Sequence, residues 1–275
     1  MHLGIPALLD FYRQHKADES LVLVTIIATE GSTYRKPGAM MLISRDQQFE
    51  GMISGGCLEG DLLHHAADVF TSGEPKFVTY DMHADEDLVW SLGLGCDGVI
   101  HLMLQRLDRE LDFGFLQLLD EWHADRRATL LALTTHSVTG PPLASWALTD
   151  EPGEAIGEPA LLGLLSDASQ GKWPDWRYRR VSISDDKADY ETILINIPPR
   201  TRVLVCGAGP DAVPVASTLS GLDWEVIVFD HRPAFAKKER FPPKCSVIQG
   251  RPEHLSKLVN LDGIDAAVVM SHHLE

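Results

Sequence analysis

Arg202-Val203-Leu204-Val205-Cys206-Gly207-Ala208-Gly209-Pro210-Asp211-Ala212 decides the fold of the C-terminal part of this chain. A Val/Leu run of strand length stops on a glycine-rich turn, and a helical pattern over residues 211–220 follows it. Gly207 permits the tight turn, Gly209 lets backbone amides approach a phosphate, and Ala212 lets the helix pack closely on the strand. Working outward, residues 225–230, 246–248 and 266–270 read as strands and 253–259 as a helix, which is the rhythm of a doubly wound parallel sheet. Asp230 ends the second strand, where an acidic residue would take a ribose hydroxyl, and Arg232 follows closely. The turn reads either as a site for a dinucleotide such as NAD(P) or a pterin nucleotide, or as a Rossmann scaffold kept for docking. Pro210 favours the second reading, because it removes one amide from a phosphate cradle. A complete dinucleotide fold would carry further strands and helices, so the expectation is a domain truncated at its C-terminal end.

Pro198-Pro199 forms a stiff boundary before this unit, giving expected domains at 1–198 and 199–275. The fold class expected is α/β: an N-terminal mixed α+β domain followed by a Rossmann-like doubly wound parallel sheet. In the first domain residues 5–16 have helical spacing, 21–28, 39–44, 49–53, 76–80 and 98–104 read as strands, and 58–70 reads as a helix with Glu59 and Asp61 in its first turn. Residues 106–126 suit a helix. Strands at 129–138, 145–148, 177–183 and 190–197 make the middle region a β-rich continuation. No internal repeat is visible.

The chain has 275 residues and a net charge of −16. Residues 201–275 carry 8 basic and 9 acidic side chains, whereas residues 1–200 carry 16 basic against 31 acidic, which argues against a nucleic-acid partner. The first twenty residues lack a secretion signal, and no run of apolar residues reaches membrane-spanning length. Four cysteines without paired spacing indicate neither a disulfide framework nor a zinc site, so the expected setting is the cytoplasm, away from membranes. Twelve histidines include no HExxH spacing, and His64-His65 on a helix would point about 100° apart. A P-loop lysine and a Gly-x-Ser-x-Gly elbow are both absent.

Two loops carry the candidate chemistry. Gly31-Ser32-Thr33-Tyr34-Arg35-Lys36-Pro37-Gly38 gathers the Ser32 and Thr33 hydroxyls, a phenol and two cations on one strand-to-strand connection. Such a loop can grip a phosphate or carboxylate, or it is an ordinary polar turn; residues 1–105 hold only six basic side chains against fifteen acidic ones, which makes this cationic spot stand out. Gly51-Met52-Ile53-Ser54-Gly55-Gly56-Cys57-Leu58-Glu59-Gly60-Asp61 ends a strand on glycines and starts a helix. Cys57 there meets the positive end of the helix dipole, which favours a thiolate that could ligate a soft metal or carry sulfur; the alternative is a small buried apolar residue. Cys96, in the turn Gly93-Leu94-Gly95-Cys96-Asp97-Gly98, repeats the setting and is a candidate to share its pocket. Cys206 and Cys245 lie beside strands and read as core.

These loops, with Gly207-Ala208-Gly209, resemble in their order the signatures of the xanthine dehydrogenase accessory factor family, XdhC/CoxI. The resemblance implies a cofactor-binding chaperone rather than a turnover enzyme. It would bind the molybdenum cofactor (molybdopterin), protect it while a cysteine desulfurase supplies the terminal sulfur, insert it into a molybdenum hydroxylase of xanthine dehydrogenase type, and act as a homodimer. Carried onto this sequence, the binding residues are Ser32, Thr33, Arg35, Lys36, Gly55, Gly56, Cys57, Glu59 and Cys96. Arg35 and Lys36 would anchor the pterin phosphate and Cys57 would contact molybdenum. Gly207, Gly209 and Asp230 are the Rossmann candidates. Pro210-Asp211 depart from the histidine and small residue usual in the family at that point. Two other classes remain open: an NAD(P)-dependent oxidoreductase, for which only His272 and His273 could donate a proton near the crevice, and a nucleotide-sensing interaction module.

Overall fold

The computed structural model describes residues 4–82, 98–111, 113–151, 153–170 and 173–270. They fall into two compact units that part between Pro199 and Arg200.

The first unit runs α1 (Ile5–Gln14), β1 (Ser20–Gly31), β2 (Met40–Ile43), β3 (Phe49–Gly51), α2 (Glu59–Ser72), β4 (Lys76–Asp81), β5 (Gly98–Asp108), α3 (Leu116–Ala124), β6 (Thr129–Thr139), β7 (Trp146–Asp150), β8 (Ala155–Gly157), α4 (Pro159–Ser169), β9 (Tyr178–Ser184) and β10 (Asp189–Ile197). Two antiparallel sheets result, ordered β3-β2-β1-β5-β4 and β8-β7-β6-β10-β9. One topology therefore occurs twice: helix, three strands, helix, two strands. The equivalence reaches single hydrogen bonds. In the first copy the Ile26 amide donates to Ala39 O at 2.9 Å and the Gly38 amide to Ile26 O at 2.8 Å; in the second the Thr134 amide donates to Ser145 O at 2.9 Å and the Ala144 amide to Thr134 O at 3.0 Å. The ladder slips at the matching place, between Ile26 and Ala28 and between Thr134 and His136. The middle region is thus a second copy of the first rather than a mere continuation.

The two sheets pack face to face. Leu21, Leu23 and Met103 of one and Leu131, Leu133 and Ile193 of the other share a core with α1 and α3. On the outer faces Val22, Val24 and Leu102 pack with Leu62, Ala66 and Val69 of α2, and Leu130, Ala132 and Leu194 pack with Leu161 and Leu165 of α4. The layers run helix, sheet, sheet, helix. This is why Leu21-Val22-Leu23-Val24 shows no polar alternation: both faces of β1 are covered, and each such side chain stabilises by roughly 1.5–3 kcal/mol.

Two expectations fail here. Residues 106–126 are not one helix: β5 stays paired with β1 as far as Ser20↔Asp108, a short 3-10 turn spans Arg109–Leu111, and only Leu116–Ala124 is α-helical. Strand pairing overrides the helical propensity of this polar stretch, and Phe113 and Gly114, at φ +52° and +63°, break the helix. The helix Pro159–Ser169 is an addition to the expected elements, although Pro159 at its first turn is a legitimate start signal.

The second unit contains β11 (Arg202–Cys206), α5 (Ala212–Gly221), β12 (Glu225–Asp230), β13 (Ser246–Gln249), the single turn α6 (Leu255–Leu258) and β14 (Ala266–Val269). Its sheet is parallel in the order β13-β12-β11-β14, a Rossmann arrangement with its crevice between β11 and β14. Cys245 is buried and Cys206 packs half-buried beside Phe229 and Ile248, where burial pushes its thiol pKa up. Both are core residues, as expected.

Candidate cofactor-binding site

Two connections of the first copy, the Ser32 loop and the Met52–Leu58 loop, meet at one end of its sheet, where β5 begins. The β1/β5 ladder closes at Gly31↔Gly98. A Cβ added to Gly98 would stand 2.7 Å from Ser32 O and 2.9 Å from Thr33 Cγ2, so the first residue of β5 lies directly on the Ser32 loop. Within that loop the buried Thr33 hydroxyl donates to Arg35 O at 2.8 Å, which tightens the turn ahead of the cations. The Tyr34 ring, 56% exposed, lies over Gly55, 3.7 Å from where a Cβ would be, and this joins the first loop to the second. Cys96 falls outside the described residues, as do His272 and His273.

The second loop is shaped by Glu59. Its Oε1 accepts the amides of Ile53 and Ser54, both at 2.9 Å; its Oε2 accepts the Ser54 hydroxyl at 2.8 Å and the Gly56 amide at 3.0 Å. Ser54 Oγ in turn accepts the Leu58 amide at 2.8 Å, satisfying an orphan donor at the start of α2. Burial disfavours the charged form, but the Ser54 and Ile53 hydrogen bonds outweigh it and hold the carboxyl below its ordinary pKa. Both oxygens of Glu59, a candidate cofactor-binding residue, accept hydrogen bonds from the loop's own donors and so fix its shape. Gly55 and Gly56, at φ +89° and +112°, supply backbone conformations that other residues avoid.

Cys57 sits half-buried just before α2, with part of its surface on the outer core of the first sheet. Among the described residues no three His, Cys, Asp or Glu side chains gather as a metal-ligand set. Lys36 is exposed and Arg35 half-buried. Burial lowers the Arg35 pKa; the Tyr34 phenol opposes this, and the charge of Arg177 adds to it. Arg177, just ahead of β9 in the second copy, is absent from the sequence-based candidates. No local pattern marks it, because it reaches this end only through the packing of one copy on the other. A Cβ on Gly38 would lie 3.1 Å from Ile195 Cγ2, and Ile195 pairs with Tyr178.

In the second unit Gly207, at φ +118°, lies so close to β14 that a Cβ would stand 2.7 Å from Met270 O. The peptide of Ala208 is held on both sides: its amide donates to Asp230 Oδ2 at 2.7 Å and its carbonyl accepts Arg240 Nη1 at 2.8 Å. Asp230 also accepts from the Arg232 amide and guanidinium at 2.7–3.0 Å. Burial opposes its ionisation, yet these bonds bring its pKa down to about 2. The Asp211 carboxylate crowds Gly209, 2.5 Å from where a Cβ would be. With one amide used by Asp230, one removed by Pro210 and a carboxylate over Gly209, the turn does not fit a pyrophosphate. Through these bonds Asp230, the candidate ribose ligand, braces the turn.

Comparison with known proteins agrees with this architecture. The model of the XdhC and CoxI family matches residues 14–81, and that of the XdhC Rossmann domain matches residues 203–275. A Bacillus subtilis protein described as a probable subunit of xanthine dehydrogenase is 30% identical over 264 residues, 94% of this chain and 73% of the relative. The chain belongs to the XdhC and CoxI family. A second relative, the molybdenum cofactor insertion chaperone PaoD of Escherichia coli, is 33% identical over 87 residues, 31% of this chain and 26% of that protein. The crystal structure of a xanthine dehydrogenase from Bacillus halodurans superposes with a TM-score of 0.76 at 26% identity, covering 98% of this chain and 75% of that one. The first family match contains the Ser32 and Cys57 loops. Among the described residues no helix is long and apolar enough to cross a membrane.

Proposed function

We propose that this chain is an accessory factor that carries the molybdenum cofactor and delivers it to a molybdenum hydroxylase of xanthine dehydrogenase type. The cofactor is cargo, received on the loops at the Gly31/Gly98 end of the first sheet. The observation that carries the reading is the meeting of the family's signature loops there, cations on one and a Glu59-fixed glycine turn with Cys57 on the other. Family membership and the name of the Escherichia coli relative support it. Arg35 and Lys36 bind the pterin phosphate as forked and point-charge donors, with the Ser32 and Thr33 segment beside them. Cys57 faces the metal end, since molybdenum is a soft centre that a thiolate can approach. A cysteine desulfurase performs the sulfur chemistry while the cofactor is held. The chain acts as a homodimer in the cytoplasm, and its Rossmann unit serves as a scaffold rather than an NAD(P) site.

Anaerobic incubation with cofactor released from a molybdenum enzyme, followed by gel filtration and assay of retained molybdenum and pterin, tests this. Near-stoichiometric retention is expected, falling about ten-fold in Arg35→Ala, the worth of one charged hydrogen-bonding group. Failure of the parent protein to retain cofactor overturns the reading.

A further inference from the structure

The strap that joins β12 to β13, residues 231–244, carries Arg232, Lys237, Lys238, Arg240 and Lys244 against a single acid, Glu239. It thus holds five of the chain's 24 Lys and Arg but only one of its 40 Asp and Glu, a positive island on a strongly negative protein. The strap is built onto the Rossmann sheet. Arg232 grips Asp230 through its amide and its guanidinium. Phe235 packs on the core of the unit with the guanidinium carbons of Arg232 and Arg240 lying 4.2 and 5.2 Å from its ring centre. Arg240 Nη1 donates to Ala208 O and Phe235 O, both at 2.8 Å. Phe241 and Cys245 enter the same core, and Pro233, Pro242 and Pro243 restrict the backbone further.

The division of labour among the five cations says what the strap fits. The two arginines are half-buried and turned to internal work, Arg232 on Asp230 and Arg240 on backbone carbonyls. Forked guanidiniums are the groups that grip phosphate best, and here they hold the strap together. What faces solvent is Lys237 and Lys238; among the described residues neither has a carboxylate within ion-pair distance, and Lys238 donates to Pro243 O at 2.7 Å. Ammonium heads on a fixed frame suit carboxylates spread over a protein surface rather than one compact phosphate, and the glycine turn beside them has no room for a pyrophosphate. An acidic partner is repelled by the rest of this chain and drawn to the strap, which sets where it lands and in what orientation. We infer that residues 231–244 are the docking surface for a protein partner with a carboxylate-rich face. This rests on the scaffold reading of the Rossmann unit and not on where the cofactor is carried.

The test titrates the full chain into fluorescein-labelled hexaglutamate and follows anisotropy, with unlabelled hexaglutamate, NADP+ and a hexathymidylate as competitors. Binding is expected, weakening about ten-fold as salt rises from about 50 to about 300 mM. The double variant Lys237→Glu, Lys238→Glu should lose about ten-fold or more, since two attractions become repulsions. Lys16→Glu with Lys76→Glu makes the same change of charge in the first unit and should lose about two-fold at most, because charge away from the contact is screened. A parent that does not bind the peptide, a strap variant that binds like the parent, or a first-unit variant that loses as much overturns the docking surface and leaves the scaffold reading standing. Hexathymidylate displacing the labelled peptide more readily than hexaglutamate does would make the strap a nucleic-acid surface and overturn the inference. The same result with NADP+ overturns both the inference and the scaffold reading.

Discussion

The two copies of the first unit differ most where β3 and β8 hand over to their helices. In the second copy Gly157 ends β8 and a single residue, Glu158, leads into Pro159 and α4. In the first, seven residues, Met52 to Leu58, separate Gly51 from Glu59, and they contain Ser54, Gly55, Gly56 and Cys57. The last connections differ in the same direction: residues 82–97 join β4 to β5, whereas residues 185–188 join β9 to β10. The Met52–Leu58 connection stands beside the Ser32 loop, with the Tyr34 ring over Gly55. The scaffold has been kept twice and elaborated once, so the plain copy shows what the fold needs and the decorated copy what has been added to it. Catalytic and binding groups commonly sit on such loops over a rigid frame. The elaboration also needed its own support, and Glu59 is that support.

The strongest way to break the comparison concerns what the copies share. Gly51 and Gly157 occupy φ +104° and +131°, and a Cβ would fall 2.4 Å from Met40 O in one case and 2.5 Å from Trp146 O in the other. Gly51→Ala and Gly157→Ala should each destabilise the first unit by about 3 kcal/mol, because the strand pair must open and the backbone is strained in addition. Equal losses in denaturant titrations, within about 1 kcal/mol, are expected if the copies are equivalent parts of one cooperative body. A harmless substitution at either position would show that the shared topology does not imply a shared constraint.

How far this architecture can be read from the sequence follows from the same comparison. The continuous apolar runs of β1, β6 and β11 announce buried strands, and the turn after Cys206 announces the Rossmann sheet, because both signals are local. The duplication is illegible because it survives as hydrogen bonds and left-handed backbone positions rather than as residue types: Gly38 at φ +89° matches Ala144 at φ +60°. The signature loops are legible as loops, while their meeting depends on the Gly31↔Gly98 pairing. Glu59 could be read as a first-turn acid, but nothing in the sequence says that its carboxylate turns back to the four donors before it. Arg177 is invisible altogether, since it approaches Arg35 only across the two copies.

A smaller effect would sharpen the contrast at the elaborated junction. Glu59→Gln keeps the shape of the side chain but places an amide nitrogen where one oxygen now accepts. At least one of the Ile53, Ser54 and Gly56 donors then loses its partner, at a cost of about 2 kcal/mol for a buried site. The loss should appear in hydrogen exchange as faster opening of the 53–56 amides, with β7 and β8 of the second copy unchanged.

The smallest effect is the pH dependence of that difference. Glu59 has a lower pKa folded than unfolded, so its ionised form contributes stability above the ordinary carboxylate range near pH 4.5, and that contribution fades as the pH falls through the folded pKa. Glutamine does not titrate. The gap between the parent protein and Glu59→Gln should therefore be widest at neutral pH and narrow on acidification below about pH 4, to roughly the cost of the altered hydrogen-bond geometry alone. Denaturant midpoints for both proteins at pH 7, 5 and 3.5 measure it. A gap that stays constant would mean that the loop is held by the shape and packing of the side chain. In that case the charge of Glu59 is incidental, and an uncharged residue would serve the elaborated copy as well.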